Sequence, residues 1–277
     1  MSIIEAVILG IIQGLTEFIP VSSTAHLTLA GNYLGLIDSN NPQVWTAFIA
    51  VIQLGTLAAV LYYFYKEIIE IGNSFLKENL FKRVTFKQQS FNSKMGWYVI
   101  FASVPIVTIG MLLKKVIESN ITKDLTVIAV SLIMLAIIMF IAEKVSKLER
   151  DITQVKMFDA IMIGLAQCVA LIPGSSRSGT TITAGLFLGL NRETAAKFSF
   201  LIGIPAIFGS GLYEFYSEFQ FLSGDMLLPL IIATIFSAIT GYFAIDFLLK
   251  YLKKHTTNLF ILYRIVAGIV ILVIINS

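Results

Sequence analysis

The sequence predicts an all-α polytopic membrane protein, and three observations carry that prediction. Hydrophobic residues make up 57% of the 277 and charged residues only 13%, with a mean hydropathy of +0.85. A water-soluble domain this apolar would expose patches that drive aggregation, so lipid is the environment that suits it. Apolar runs long enough to span ~30 Å of hydrocarbon, which takes about 20 helical residues, recur along the chain. Between them lie short polar stretches in which Lys and Arg cluster. The formal charge of +3 is too small to argue for a nucleic-acid partner. The single cysteine, Cys168, permits neither an intrachain disulfide nor a cysteine-built metal site.

The start, Met1-Ser2-Ile3-Ile4-Glu5, lacks the basic leader of a cleaved signal peptide, so the first apolar segment is expected to persist. That segment, residues 3–36, is broken by Pro20 and Val21-Ser22-Ser23-Thr24. Irregular backbone at membrane depth survives only where protein or a polar cavity surrounds it. The segment therefore reads as a re-entrant helical hairpin. Full crossings follow at about 44–65, 96–114 and 124–142. Residues 157–190, broken by Pro173-Gly174-Ser175-Ser176-Arg177, read as a second hairpin. Crossings at about 195–215, 226–249 and 258–276 complete the set of six.

The hairpins resemble one another. Ala6 to Gln13 matches Ala160 to Gln167 in Ala, Gly and Gln; Pro20-Val21-Ser22-Ser23, after one residue of slippage, aligns with Pro173-Gly174-Ser175-Ser176. Ala30 to Leu36 then aligns with Ala184 to Leu190. The chain is accordingly one membrane domain, 1–277, made of repeats at about 3–142 and 157–276. Three crossings per repeat is an odd number, so the repeats should be inverted in the bilayer. The basic residues agree: stretches 66–95, 143–157 and 250–257 fall on one side, which the positive-inside rule makes cytoplasmic. Both termini are then outside, together with the acidic 214–225 stretch (Glu214, Glu218, Asp225) and one basic stretch at Lys114, Lys115 and Lys123.

Two motifs carry chemistry. In the first, Gln13 and Glu17 share a face of a helix that Pro20 ends. Ser22 or Ser23 suits the N-cap of the next helix, and His26 lies one turn on. A carboxylate in a membrane segment is costly and usually functional, although Glu17 could snorkel and His26 could be structural. The second motif, Pro173 to Thr181, is a Gly- and hydroxyl-rich turn at a helix start, which presents free N–H groups and the positive end of the dipole to an anion. Arg177 adds a planar fork suited to phosphate oxygens. Inverted hairpins would bring Glu17, Ser23, His26, Ser176, Arg177 and Thr181 around one cavity, with Gln13, Ser22, Gly174, Ser175 and Ser178 completing the binding set. These are the parts that phosphoryl transfer requires. Arg264 and Asp246 read as structural or cavity-lining, Gly55, Gly110, Gly203 and Gly209 to Gly211 as helix-packing sites.

These residues resemble the motifs of the undecaprenyl-diphosphate phosphatase family, the bacterial membrane enzymes also called bacitracin-resistance proteins. Its Glu/Gln-x-x-x-Glu followed by Pro-Val-Ser-Ser-Thr-x-His is met by Gln13 through His26. Its Pro-Gly-x-Ser-Arg-Ser-x-x-Thr is met by Pro173 through Thr181. The resemblance spans essentially the whole chain. It implies a phosphoric anhydride hydrolase of the bacterial plasma membrane that returns undecaprenyl diphosphate to the monophosphate carrier for peptidoglycan and cell-wall synthesis, and so confers bacitracin resistance. It further suggests a site open to the outer face. Physically, Arg177 would clamp the phosphate, Ser23, activated by His26 or Glu17, is the preferred nucleophile with His26 itself as rival, and a divalent cation, Mg²⁺ or Ca²⁺, would sit near Glu17. The first acidic position, often Glu in the family, is Gln13 here, so a two-carboxylate metal site is unavailable. Partners expected are the polyprenyl lipid and the membrane, with a homodimer compatible. The alternative is a transporter or flippase of a phosphorylated lipid or small anion, since inverted repeats with broken helices also build transporters.

Overall fold

A computed structural model describes residues 1–38, 42–113, 124–218 and 224–276. Lys114, Lys115 and Lys123 lie outside the described residues, as do the side chains of Glu214, Glu218 and Asp225. The architecture among the described residues is helical throughout. A hairpin, α1 (Ile3–Phe18) and α2 (Ser23–Tyr33), precedes α3 (Pro42–Tyr63), α4 (Tyr65–Leu76), α5 (Phe91–Leu112) and α6 (Leu125–Val145). A second hairpin, α7 (Met157–Gln167) and α8 (Arg177–Phe187), precedes α9 (Arg192–Glu218), α10 (Gly224–Leu252) and α11 (Asn258–Asn276). Six of these, α3, α5, α6, α9, α10 and α11, are long and apolar enough to cross a membrane. Their bounds lie within a few residues of those expected from hydropathy.

Exposure completes that picture. Met134, Phe243 and Val273 are each more than half exposed on long helices, where water would penalise them and lipid does not. The chain is a multi-pass membrane protein. The polar stretch 66–95, which hydropathy leaves between two crossings, holds a further helix. That helix is α4, continued by a π-turn at Lys77–Phe81. Its Ile68 and Ile71 pack on the core while Lys66 and Glu70 stay out, which is helical spacing that a polar composition conceals.

The hairpins are too short to span. At about 1.5 Å per residue, the 16 residues of α1 reach only ~24 Å, and the 11 of α2, α7 and α8 only ~17 Å. Their ends are built alike. Ser2 and Lys156 begin α1 and α7 with Glu5 and Asp159 folded back on the cap. Gly35 and Gly189, at φ 65° and 81°, close α2 and α8 in the same left-handed turn, with Leu36 N–H on Gly31 O and Leu190 N–H on Gly185 O. The N-caps of α2 and α8 are Ser22 and Ser176. All these pairs keep one constant spacing, so Ser22 corresponds to Ser176 and Ser23 to Arg177. The slipped serine alignment is corrected: only the prolines are displaced, by one residue.

Packing exchanges the hairpins between the halves. Helix α1 lies along α10 and α7 along α5, while α3 meets α9 and α6 meets α11. Gly10 and Gly164 allow the first two approaches, because a Cβ there would lie 2.3 Å from the Ala233 oxygen and 2.4 Å from the Ala102 oxygen. Ion pairs tie together the end of the molecule that carries the basic stretches. Arg192 and Thr257 hold Glu143, Arg150 holds Asp159, and Lys197 reaches Glu67 at 2.7 Å. The hairpin turns sit away from that end, in the interior.

Candidate active site

Pro20 ends α1, and Ser22 then adopts φ 76° to start α2 and cap the Ala25 N–H. On the other side Gly174 takes φ 87°, and Ser176 takes φ 70° and caps the Gly179 N–H. Left-handed serines each cost on the order of 1–3 kcal/mol and persist only where surroundings over-determine them. Here the result is that the two turns, each starting a helix, come together in the interior. Ser178 Oγ donates to Ile19 O at 3.3 Å, across the two turns.

Glu17 lies where they meet and is 5% exposed. Its Oε2 accepts from Gln13 Nε2 at 3.0 Å and Ser23 Oγ at 2.7 Å. Its Oε1 accepts from Gln53 Nε2 at 3.2 Å and Arg177 Nη2 at 3.2 Å. These four donors engage both carboxylate oxygens and hold the group in place. A cavity of about 500 Å³ opens beside it, lined by Glu17, Ser22, Ser23, Gly174, Ser176 and Arg177 at its polar floor. The walls, Ile106 and Val107 of α5 with Ala206 and Ile207 of α9, are apolar and lead toward Met111 and Tyr213. That mouth is at the end opposite the ion pairs.

Other expected residues stand behind this floor. Ser175 is buried, and Thr181 Oγ1 donates to Arg177 O at 2.7 Å and meets Ser199 Oγ at 2.6 Å, bracing the first turn of α8. His26 is set apart from the rest. Its Nδ1 meets Ser22 O at 2.7 Å and its Nε2 meets the Tyr263 hydroxyl at 2.5 Å, with the rings stacked. It does not line the cavity.

The chain's relatives can be set beside this geometry. The family model "Bacitracin resistance protein BacA" matches residues 6–270. The chain belongs to that family. A protein of Syntrophobacter fumaroxidans named undecaprenyl-diphosphatase is 53% identical over 97% of this chain and 95% of its own. Proteins of the same name in Chloroherpeton thalassium and Chlorobium phaeobacteroides are 49% and 48% identical, over 100% and 98% of this chain and 98% and 96% of theirs. Both motifs fall inside the matched range, and so do site residues that reasoning from sequence missed.

Gln53 is one of these, a neutral polar residue within an apolar crossing. Gly203 is another. A Cβ there would lie 2.0 Å from Arg177 Nη1, so this glycine makes room for the guanidinium rather than for a helix. Gly110 and Gly209 also depart from a packing role: they line the cavity and a Cβ would meet nothing closer than 4.0 Å. Arg264 is fully buried and donates to Pro20 O at 3.1 Å, Gly174 O at 3.1 Å and Ser175 O at 3.2 Å, joining both turns. Asp246 instead accepts from Tyr63 and Lys250, far from it in role.

Gly203→Ala should keep the fold, since the atom it strikes ends a flexible side chain, yet push Arg177 aside. A misplacement of about 1 Å costs on the order of 10²-fold in rate. Normal thermal unfolding with activity lowered by that order is the expected result; unchanged activity would show that the guanidinium has no fixed post.

Proposed function

We infer that this protein hydrolyses undecaprenyl diphosphate to undecaprenyl phosphate and phosphate, recycling the lipid carrier for peptidoglycan synthesis and conferring bacitracin resistance. The single observation that carries the chemistry is the Ser23–Glu17–Arg177 constellation: a hydroxyl hydrogen-bonded to a buried carboxylate that is itself paired to a guanidinium. In the proposed mechanism Arg177 and the N-terminal amides of α2 and α8 hold the diphosphate and stabilise charge developing on the terminal phosphoryl group. Ser23 Oγ attacks the terminal phosphorus while Glu17 takes its proton. The bond from that phosphorus to the bridging oxygen breaks, and undecaprenyl phosphate departs with the oxygen. Glu17 passes that proton to the departing phosphate oxygen; water then hydrolyses the phosphoserine, Glu17 taking the water's proton and Ser23 leaving with a proton restored to its Oγ. His26, held by Tyr263, supports the first turn of α2 in this reading. Ser22 and Ser176 cap the two anion-facing termini, and Gln13 and Gln53 orient Glu17. The isoprenoid chain follows the apolar wall between α5 and α9.

The membrane arrangement is part of the proposal. The two hairpins are re-entrant and enter from opposite faces, and the halves form an inverted repeat; the matched caps and exchanged packing support this. The basic end is cytoplasmic, both termini are outside, and the cavity mouth opens to the outer face. Phosphate release from purified protein in detergent, with prenyl diphosphates of several lengths, tests the activity. Transport cannot occur there, so absence of release would favour the transporter.

A resident metal does not fit these residues. Among the described residues Glu17 is the sole carboxylate in the cavity lining, its oxygens are engaged by four donors, and no group of three or more His, Cys, Asp or Glu gathers. We propose that Mg²⁺ or Ca²⁺ enters with the diphosphate, as Mg²⁺ often does with phosphates. No step above runs through it. Accordingly, Mg²⁺ or Ca²⁺ alone should leave the unfolding temperature of the lipid-free protein unchanged, whereas tight binding measured by calorimetry would contradict this.

A further inference from the structure

Gln167 ends α7 at the place that Gln13 occupies on α1. In the first hairpin the amide of Gln13 reaches the carboxylate four residues on, but in the second hairpin that place is taken by Leu171. Gln167 is fully buried, and neither its Nε2 nor its Oε1 has a partner among the described residues. It borders the same cavity as Ser176 and Arg177. A buried amide with two idle donors and an idle acceptor costs stability, and an apolar side chain of the same length would fold there more readily. Hydrogen bonds to a ligand bound in the cavity would satisfy it. An isoprenoid tail has no acceptor to offer, and the neighbouring guanidinium and helix N-terminus select an anion.

We propose that Gln167 is a further substrate-binding residue, whose amide donates to a phosphoryl oxygen of the diphosphate on the α8 side of the cavity. The assignment rests on the reading of this cavity as a diphosphate site. It makes the floor two-sided, with Gln13 spent on orienting Glu17 and Gln167 spent on the ligand.

The test compares wild type with Gln167→Met and Gln167→Glu, by thermal unfolding in detergent with and without inorganic pyrophosphate, and by the KM of phosphate release. Without pyrophosphate, Gln167→Met should unfold at or above the wild-type temperature, because it removes an unpartnered amide. Pyrophosphate should protect it at least tenfold less well than wild type by apparent Kd, with KM raised by a similar factor and kcat changed less. Gln167→Glu, which keeps the size but removes the donors, should lose protection at least as completely. Equal protection of wild type and Gln167→Met overturns the proposal. So does a destabilised Gln167→Met that binds normally, since the amide is then structural, and so does a wild type that pyrophosphate fails to protect. Should wild type bind pyrophosphate but release no phosphate from prenyl diphosphates, the hydrolase reading falls while the Gln167 comparison still stands.

Discussion

Arg177→Ala is expected to lower phosphate release by about 10³-fold or more with the fold intact, the scale seen when a cation that stabilises a transferring phosphoryl group is removed. The guanidinium sits at the first helical position of α8, 3.2 Å from Glu17, and its Nε is buried with no partner among the described residues, so on the proposed reading it is a donor available to the substrate. Arg177→Lys keeps the charge but not the fork, so it should recover little. Thermal unfolding read alongside the rate separates loss of chemistry from loss of structure. Near wild-type hydrolysis by a folded Arg177→Ala would remove the phosphate clamp and with it the site.

The second large effect is expected at Ser23. Its hydroxyl points at Glu17 from 2.7 Å and faces the cavity, while His26 turns to Tyr263. Ser23→Ala should cost about 10³-fold or more, as loss of a nucleophile does, whereas His26→Ala should cost less, through slackening of α2. Quenched wild-type reactions with terminally labelled substrate should leave acid-stable label on Ser23. Label on His26, or retained turnover by Ser23→Ala, would transfer the nucleophile's role.

Much of this was legible before any coordinates. The crossings read at 226–249 and 258–276 form as α10 and α11 because hydropathy over 20 residues leaves little choice of element. Both motifs fall on hairpin turns at Pro20 and Pro173-Gly174, where hydroxyl-rich residues follow the break, whereas Pro105, Pro205 and Pro229 in apolar runs stand inside α5, α9 and α10. What was hidden has equally physical causes. The face that His26 presents depends on a tyrosine 237 residues away in the chain. Gln53 and Gly203 belong to apolar runs in which nothing but proximity to Glu17 and Arg177 distinguishes them. The serine alignment slipped because identical letters attract one another, whereas the backbone matches caps, and a cap on α8 can be followed by arginine where α2 has serine.

Arg264 has a consequence for traffic across the membrane. Its one guanidinium is fastened to both turns and to the Ser131 and Leu132 carbonyls of α6 as well. Swinging one half against the other would leave a fully buried guanidinium without those carbonyl acceptors. A molecule riveted in this way works as a fixed basin rather than a turnstile. On the proposed hydrolase reading, lipid admitted on one side is expected to leave on that same side.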